Sequence, residues 1–141
     1  MERPLPFVTI EQSSGKAIGS TRFANIDGGH RRVEIGWTWV MRPWQRTPVN
    51  TEAKYLMLKH AFEALECFRV EFETDSLNEQ SRLALHRIGA KEGGILRNHM
   101  MTYTGRVRHS VYYSIIDSEW PQVKASLEEK LSRAFDRKNR V

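Results

Sequence analysis

Apolar and polar residues alternate from Phe7 to Met41 and give way to a helical rhythm at Thr51, so the chain opens as a sheet and continues as an α/β pattern. Phe7 to Ile10 reads as a short strand, Ser13-Ser14-Gly15-Lys16 as a hairpin turn, and Ala17 to Ile26 as a second strand. After the Asp27-Gly28-Gly29 turn, Arg32 to Met41 places Val33, Ile35, Trp37 and Trp39 on one face of a third strand. Gly36 leaves room there for a bulge or a close backbone approach. Tyr55, Leu58, Phe62 and Leu65 then recur at helical spacing, and Glu52 to Glu66 holds neither Gly nor Pro, which predicts a long helix. Arg69 to Thr74 returns to alternation, with Val70 and Phe72 set against charged neighbours. Asn78 reads as the cap of a second helix that carries Leu83, Leu85 and Ile88 and stops at Gly89. Gly94 to Tyr103 and Val107 to Ile116 form a hairpin around Thr104-Gly105. Ser118 is positioned to cap a last helix with Pro121 in its first turn and Val123, Leu127 and Leu131 as its apolar stripe.

This order predicts a mixed α/β sheet, mostly antiparallel, in which the helix between the third and fourth strands makes that pair parallel. The run from Trp44 to Ala53 then sits at the carboxyl end of the third strand, where open α/β sheets bind ligands. Amides in the first turn of a helix have no intrahelical partner, and the helix dipole adds partial positive charge, so this junction suits a phosphate. Burial tendencies place Trp37 and Trp39 in the core.

A chain of 141 residues supports one core, and 40% hydrophobic with 28% charged residues excludes disordered and fibrous classes. We expect one domain over 1–131 and a solvated basic tail over 132–141, where Arg133, Arg137, Lys138 and Arg140 cluster. No apolar run is long enough to span a bilayer and no charged-then-apolar leader opens the chain, so a soluble, cytoplasmic protein without a membrane partner is expected. Cys67 stands alone, and the histidines at 30, 60, 86, 99 and 109 form no HxxxH pair, so no metal site is predicted. The net charge of +5 favours a polyanion: nucleic acid, a phosphate-bearing cofactor or an acidic protein. Arg97, Arg106, Arg108 and His109, flanked by Tyr103, Tyr112 and Tyr113, are the residues a nucleic-acid-binding module would use, the less favoured alternative.

Glu34-Ile35-Gly36-Trp37, the turn Gln45 to Asn50, Thr51-Glu52-Ala53, Asn78-Glu79-Gln80-Ser81, Gly89-Ala90 and Ser118-Glu119-Trp120-Pro121 occur in an order that resembles the GNAT acetyltransferases. The likeness runs from about Phe7 to Leu131 and is to the RimJ/RimL-like branch of ribosomal-protein N-terminal acetyltransferases. It implies a GNAT-like mixed, mostly antiparallel sheet flanked by helices, here N-terminally truncated. The family's first strand and two helices, one wall of its acceptor groove, would precede Phe7.

The resemblance also implies acetyl-CoA as cofactor. Its pyrophosphate would rest on Gln45, Arg46, Thr47, Val49, Asn50 and Thr51. Its pantetheine arm would lie along Thr38, Trp39 and Val40, in a splay between the third and fourth strands, and against Asn78 and Ser81. Pro48 and Asn50 stand where the family turn has small residues, and Pro48 brings no N–H. The family's frequent general-acid tyrosine falls on Leu85, and His86 points about 100° away from it around a helix, which leaves Ser81 as the candidate to protonate the departing thiolate. Glu34 is the candidate base, the alternative being a strand glutamate paired with Arg32 or Arg22. For Asn78 the alternative is a helix cap alone.

The implied reaction is direct attack by a neutral amine in a ternary complex, without an acyl-enzyme. The amine would belong to a protein N-terminus or a small molecule; an α-amine titrates near 7.7–8.0 and needs only a modest base. An uncovered sheet edge predicts a homo-oligomer.

Overall fold

The computed structural model describes residues 3–140; Met1, Glu2 and Val141, at the ends of the expected domain and tail, lie outside the described residues. Strands β1 (Leu5–Ile10), β2 (Ala17–Asp27) and β3 (Arg32–Val40) form an antiparallel meander. Helix α1 (Val49–Lys59) leads to β4 (Arg69–Asp75), α2 (Glu79–Arg87), the hairpin β5 (Lys91–Met101) and β6 (Val107–Ile116), and α3 (Trp120–Asn139). The six strands lie in the order β1-β2-β3-β4-β6-β5, with β3 and β4 parallel and every other pair antiparallel. The mixed, mostly antiparallel sheet read from periodicity is the one observed.

One core forms on one face of this sheet. Phe23, Val33, Ile35, Val70, Phe72, Val111, Tyr113 and Ile115 point into it from the strands. Met57, Leu58, Ala61 and Phe62 meet them from α1 and the turn after it, Leu85 and Ile88 from α2, and Trp120, Val123 and Leu127 from α3. All three helices therefore serve the same face. The opposite face carries the alternate residues, Arg22, Glu34, Glu71, Glu73 and Tyr112 among them.

Several local expectations change. Helix α1 starts at Val49, two residues before Thr51, because Pro48 at its N-cap already has a helical φ of −65°. Its last turn widens into a π-helix over His60–Ala64, and Leu65 beyond it is exposed rather than on the buried stripe. Ser118 does not cap α3: the N-cap is Glu119 without a side-chain bond, and the Ser118 amide donates to Asp117 Oδ1 at 2.9 Å. Pro121 stands in the first turn, where a missing N–H costs nothing. Leu131 is only half-buried, and Trp120 completes the stripe instead. Residues 132–139 continue α3, with Arg133, Arg137 and Lys138 exposed.

The largest departure lies in β3. Val33 and Ile35 are buried as expected, but Trp37 is 73% and Trp39 57% exposed. The pairing steps from Arg22↔Gly36 to Ser20↔Trp39, so β3 holds one residue more than β2 across this interval. Trp37 occupies the bulge with φ +52°, a left-handed conformation that breaks the alternation. The bulge thus lifts both tryptophans out of the core.

Beyond the bulge the strands approach closely. A Cβ on Gly19 would lie 2.6 Å from the Trp39 carbonyl oxygen, a backbone atom with nowhere to move. Gly19→Ala is expected to cost about 1–3 kcal/mol and to lower the melting temperature by several degrees, read by circular dichroism. An unchanged melting temperature would mean that β3 shifts freely against β2.

Candidate functional site

The site begins where the sheet comes apart. Strands β3 and β4 pair only at Arg32–Arg69, Val33–Val70 and Glu34–Glu71. Past that point β3 stays with β2 as far as Val40, and β4 stays with β6 as far as Asp75. The bulge at Trp37 turns β3 away from β4, so their later backbone groups do not pair with each other. Glu34 stands at the apex of the opening, the N-terminus of α1 follows the outer end of β3, and α2 follows the outer end of β4.

The turn before α1 is built from its own side chains. A 3-10 turn over Arg42–Trp44 is tied to the β1–β2 hairpin by the Trp44 indole, which donates to Glu11. Arg46 takes φ +61°, reversing the chain. The Thr47 hydroxyl donates to the Trp44 carbonyl and accepts from the Val49 amide at 3.4 Å. The first intrahelical bond is Glu52 N–H to the Pro48 carbonyl at 2.9 Å, which leaves the Asn50 and Thr51 amides without an intrahelical acceptor. With the exposed Arg46 beside them, these two amides fit a phosphate.

Two assignments here need refinement. Gln45 Nε2 donates to the Val40 carbonyl at 3.0 Å, so the Gln45 side chain braces the strand end and occupies the carbonyl that the resemblance gives to a pantetheine arm. Asn50 Oδ1 is buried with no donor. A buried acceptor cannot serve a phosphate oxygen, but it fits an amide N–H or hydroxyl of a ligand arm entering the gap.

Glu34 is 6% exposed, and it does not pair with Arg32 or Arg22. Arg32 is taken by Asp27 at 3.2 Å, and the Arg22 guanidinium stacks over Trp37. Glu34 Oε2 accepts from Asn25 Nδ2 at 2.9 Å, and Oε1 has no partner. The two carboxylates near it are compensated. Arg69 Nε donates to Glu71 at 2.8 Å, while Glu73 receives Arg108 at 2.6 Å and the Tyr112 hydroxyl at 3.3 Å. Burial, and then the negative charges of Glu73 and Glu71, push the Glu34 carboxyl up to about 7. It is a carboxyl poised to exchange a proton near neutrality.

Across the gap, Asn78 is a helix cap: its Oδ1 accepts from the Ser81 amide at 3.0 Å, a bond worth about 1 kcal/mol. The Ser81 hydroxyl forms no hydrogen bond among the described residues, so it is free to donate to a ligand. Leu85 is buried in the core, and His86 is exposed on the far side of α2. Thr38 and Thr21 share a hydroxyl hydrogen bond of 2.9 Å across the bulge, which orients the outer part of β3.

Asn25 and Lys54 were not singled out by the pattern. Asn25 takes φ +47°, and that kink aims its amide at Glu34; an Asn before a turn is the signal that could have found it. Lys54 lies one turn beyond Asn50, and burial pushes its amine down to about 8. The basic strand pair expected of a nucleic-acid module is largely neutralised within the fold. Arg106 pairs with Asp75, Arg108 with Glu73, and Tyr113 is buried with its hydroxyl accepting from Arg82 at 3.1 Å. Among the described residues no helix is long and apolar enough to cross a membrane, and no cluster of metal-binding side chains occurs.

A family model described as an acetyltransferase (GNAT) domain matches residues 1–91. A GCN5-related N-acetyltransferase from Brucella melitensis is 36% identical with a TM-score of 0.86, covering 89% of this chain and 57% of its own. Mycobacterium smegmatis RimJ, solved in complex with CoA-disulfide, is 30% identical with a TM-score of 0.79, covering 91% of this chain and 60% of its own. The chain thus spans about three fifths of the length of the solved relatives it matches. No curated protein matches it.

Proposed function

The chain belongs to the GNAT acetyltransferase family, and from that premise we propose that it transfers acetyl from acetyl-CoA to a primary amine by direct attack in a ternary complex. The observation that carries this reading is a coincidence of position. The sheet opens at an uncompensated carboxyl, Glu34, and the opening lies between a helix start with free amides and a helix carrying a free hydroxyl at Ser81. The RimJ structure with CoA-disulfide supports the choice of cofactor.

In this reading the amides of Asn50 and Thr51, with Arg46, hold the pyrophosphate. Thr47 and Val49 shape the turn that presents them, and Gln45 braces it from the end of β3. The opened backbone around Thr38 and Trp39, with Asn50 Oδ1, lines the arm. Acetyl-CoA supplies an activated thioester. Glu34 accepts the proton of the attacking amine, and it can do so because nothing else neutralises it. Ser81 donates its hydroxyl hydrogen toward the departing sulfur, and Asn78 holds the start of α2 that carries it. A peptide amino terminus suits this chemistry better than a lysine side chain, since an α-amine loses its proton near 7.7–8.0 and lysine near 10.4. We place the protein in the RimJ/RimL-like branch, in the cytoplasm.

We also propose self-association of two copies through β1, an edge strand with Leu5, Phe7, Val8 and Ile10 all exposed. Sedimentation velocity at micromolar concentration reads this, and a stable monomer removes it. The enzyme reading is tested by titration calorimetry with coenzyme A, followed by a thiol-release assay with acetyl-CoA and a peptide amine. Binding with turnover is expected. Binding without turnover would instead favour a cofactor-binding module, and no binding would overturn the proposal.

A further inference from the structure

Glu34 is not the only unanswered group on its face of the sheet. Arg22 stands on β2 across from Gly36, and Glu34 stands across from Ala24, which makes the two diagonal neighbours. Positions so related lie about 7–8 Å apart along the backbone, within reach of long side chains. The Arg22 guanidinium lies over the Trp37 ring, 5.1 Å from its centroid, and its Nε is buried with no acceptor. Among the described residues Arg22 forms no ion pair, while Asp27, Glu71 and Glu73 each have another arginine. A carboxylate oxygen without a donor and a guanidinium N–H without an acceptor thus belong to diagonal positions of one face and do not answer each other.

We propose that Arg22 is a specificity-determining residue: it binds the carbonyl oxygen next to the acceptor's amine while Glu34 takes the amine itself. This rests on the transferase reading above and narrows its acceptor to α-amino carbonyl compounds, a free peptide amino terminus being the simplest. In such a compound the amine nitrogen and the carbonyl oxygen are about 3 Å apart. With a hydrogen bond of about 2.9 Å at each end, such a compound is long enough to be held by two long side chains on diagonal positions of one face. An alkylamine satisfies Glu34 and leaves Arg22 Nε as it was. The exposed Trp37, fixed at the bulge, is the platform that holds the guanidinium plane, and a planar fork meets a carbonyl in a way an ammonium does not.

The test compares kcat/KM for a dipeptide amide with a free amino terminus against n-butylamine, using the full chain, acetyl-CoA and the variants Arg22→Gln and Arg22→Lys. The ratio of the two acceptors is expected to fall about tenfold in Arg22→Gln, the effect of one lost hydrogen bond to a charged group. Partial recovery is expected in Arg22→Lys. An unchanged ratio overturns the inference and leaves the transferase reading standing. Calorimetry of the dipeptide amide against coenzyme A-loaded protein separates the opposite case. A dissociation constant that rises about tenfold in Arg22→Gln, in protein that acetylates nothing, keeps the inference and removes the transferase. If neither turnover nor binding depends on Arg22, the inference fails. A melting temperature for Arg22→Gln within a few degrees of the parent confirms that the ratio reports recognition and not folding.

Discussion

Glu34→Gln is expected to lower kcat/KM for acetyl transfer by about 10²- to 10⁴-fold, the usual contribution of a positioned general base. It should also make the protein more stable. The folded-state carboxyl sits at about 7 against an ordinary 4.5, so between those values the native chain holds a proton that the unfolded chain has released. Stability therefore falls as pH rises across that window. The cost is absent below 4.5 and complete above about 7. Allowing for water reaching this open sheet face, it amounts to about 2 kcal/mol. Glutamine carries no charge to desolvate and keeps an oxygen for Asn25, so the variant should melt several degrees higher at pH 8 and match the parent at pH 4. The pH–rate profile adds a separate check. The parent should gain activity through an inflection near 7, which the glutamine form should lack. Equal stability of the two proteins at pH 8 would mean that Glu34 is solvated rather than buried.

Thr51→Pro should weaken coenzyme A binding by about one to two orders of magnitude, because it deletes one of the two amides to which the proposed function gives the pyrophosphate. A hydrogen bond to a charged group is worth about 1.5–3 kcal/mol, and each 1.4 kcal/mol is tenfold in affinity. The helix itself should survive. Thr51 lies in the first turn, where the lost amide had no intrahelical acceptor, and proline is tolerated there. Titration calorimetry reads the affinity and far-ultraviolet circular dichroism the helix. An unaltered dissociation constant with unaltered helicity would show that the phosphates lie elsewhere.

Much of the fold is legible in the sequence because burial imposes period. Val33 and Ile35, Val70 and Phe72, and Val111, Tyr113 and Ile115 alternate strictly, and all of them point into the core. The helix between β3 and β4 announces their parallel pairing. What the pattern hides is a break in period. Gly36 marks the place where β3 can bulge, yet the left-handed residue is Trp37, and one inserted residue sends both tryptophans to the surface. The turn before α1 is legible as a helix start, although the sequence does not show that the Gln45 side chain ties back to the Val40 carbonyl. The family resemblance marks Glu34 as the candidate base, whereas strand alternation alone cannot tell it from an outward glutamate paired with Arg32 or Arg22. Its character comes from Asn25 on the neighbouring strand as donor and from Glu71 and Glu73, far along the chain, as uncomfortable company, and these are brought together only by strand register.

The brief contact between β3 and β4 has a mechanical consequence. Three residue pairs stitch together two three-stranded ribbons, β1-β2-β3 and β4-β6-β5, each of which is otherwise held by antiparallel neighbours. The two ribbons also share the hydrophobic layer beneath them, so this stitch is a crease in the sheet and not the ribbons' only join. Amides on β3 beyond Glu34 that face the gap rather than β2 should exchange with solvent sooner than those of β4 paired to β6, and a molecule laid in the crease should slow them by serving as the strand that the sheet lacks there.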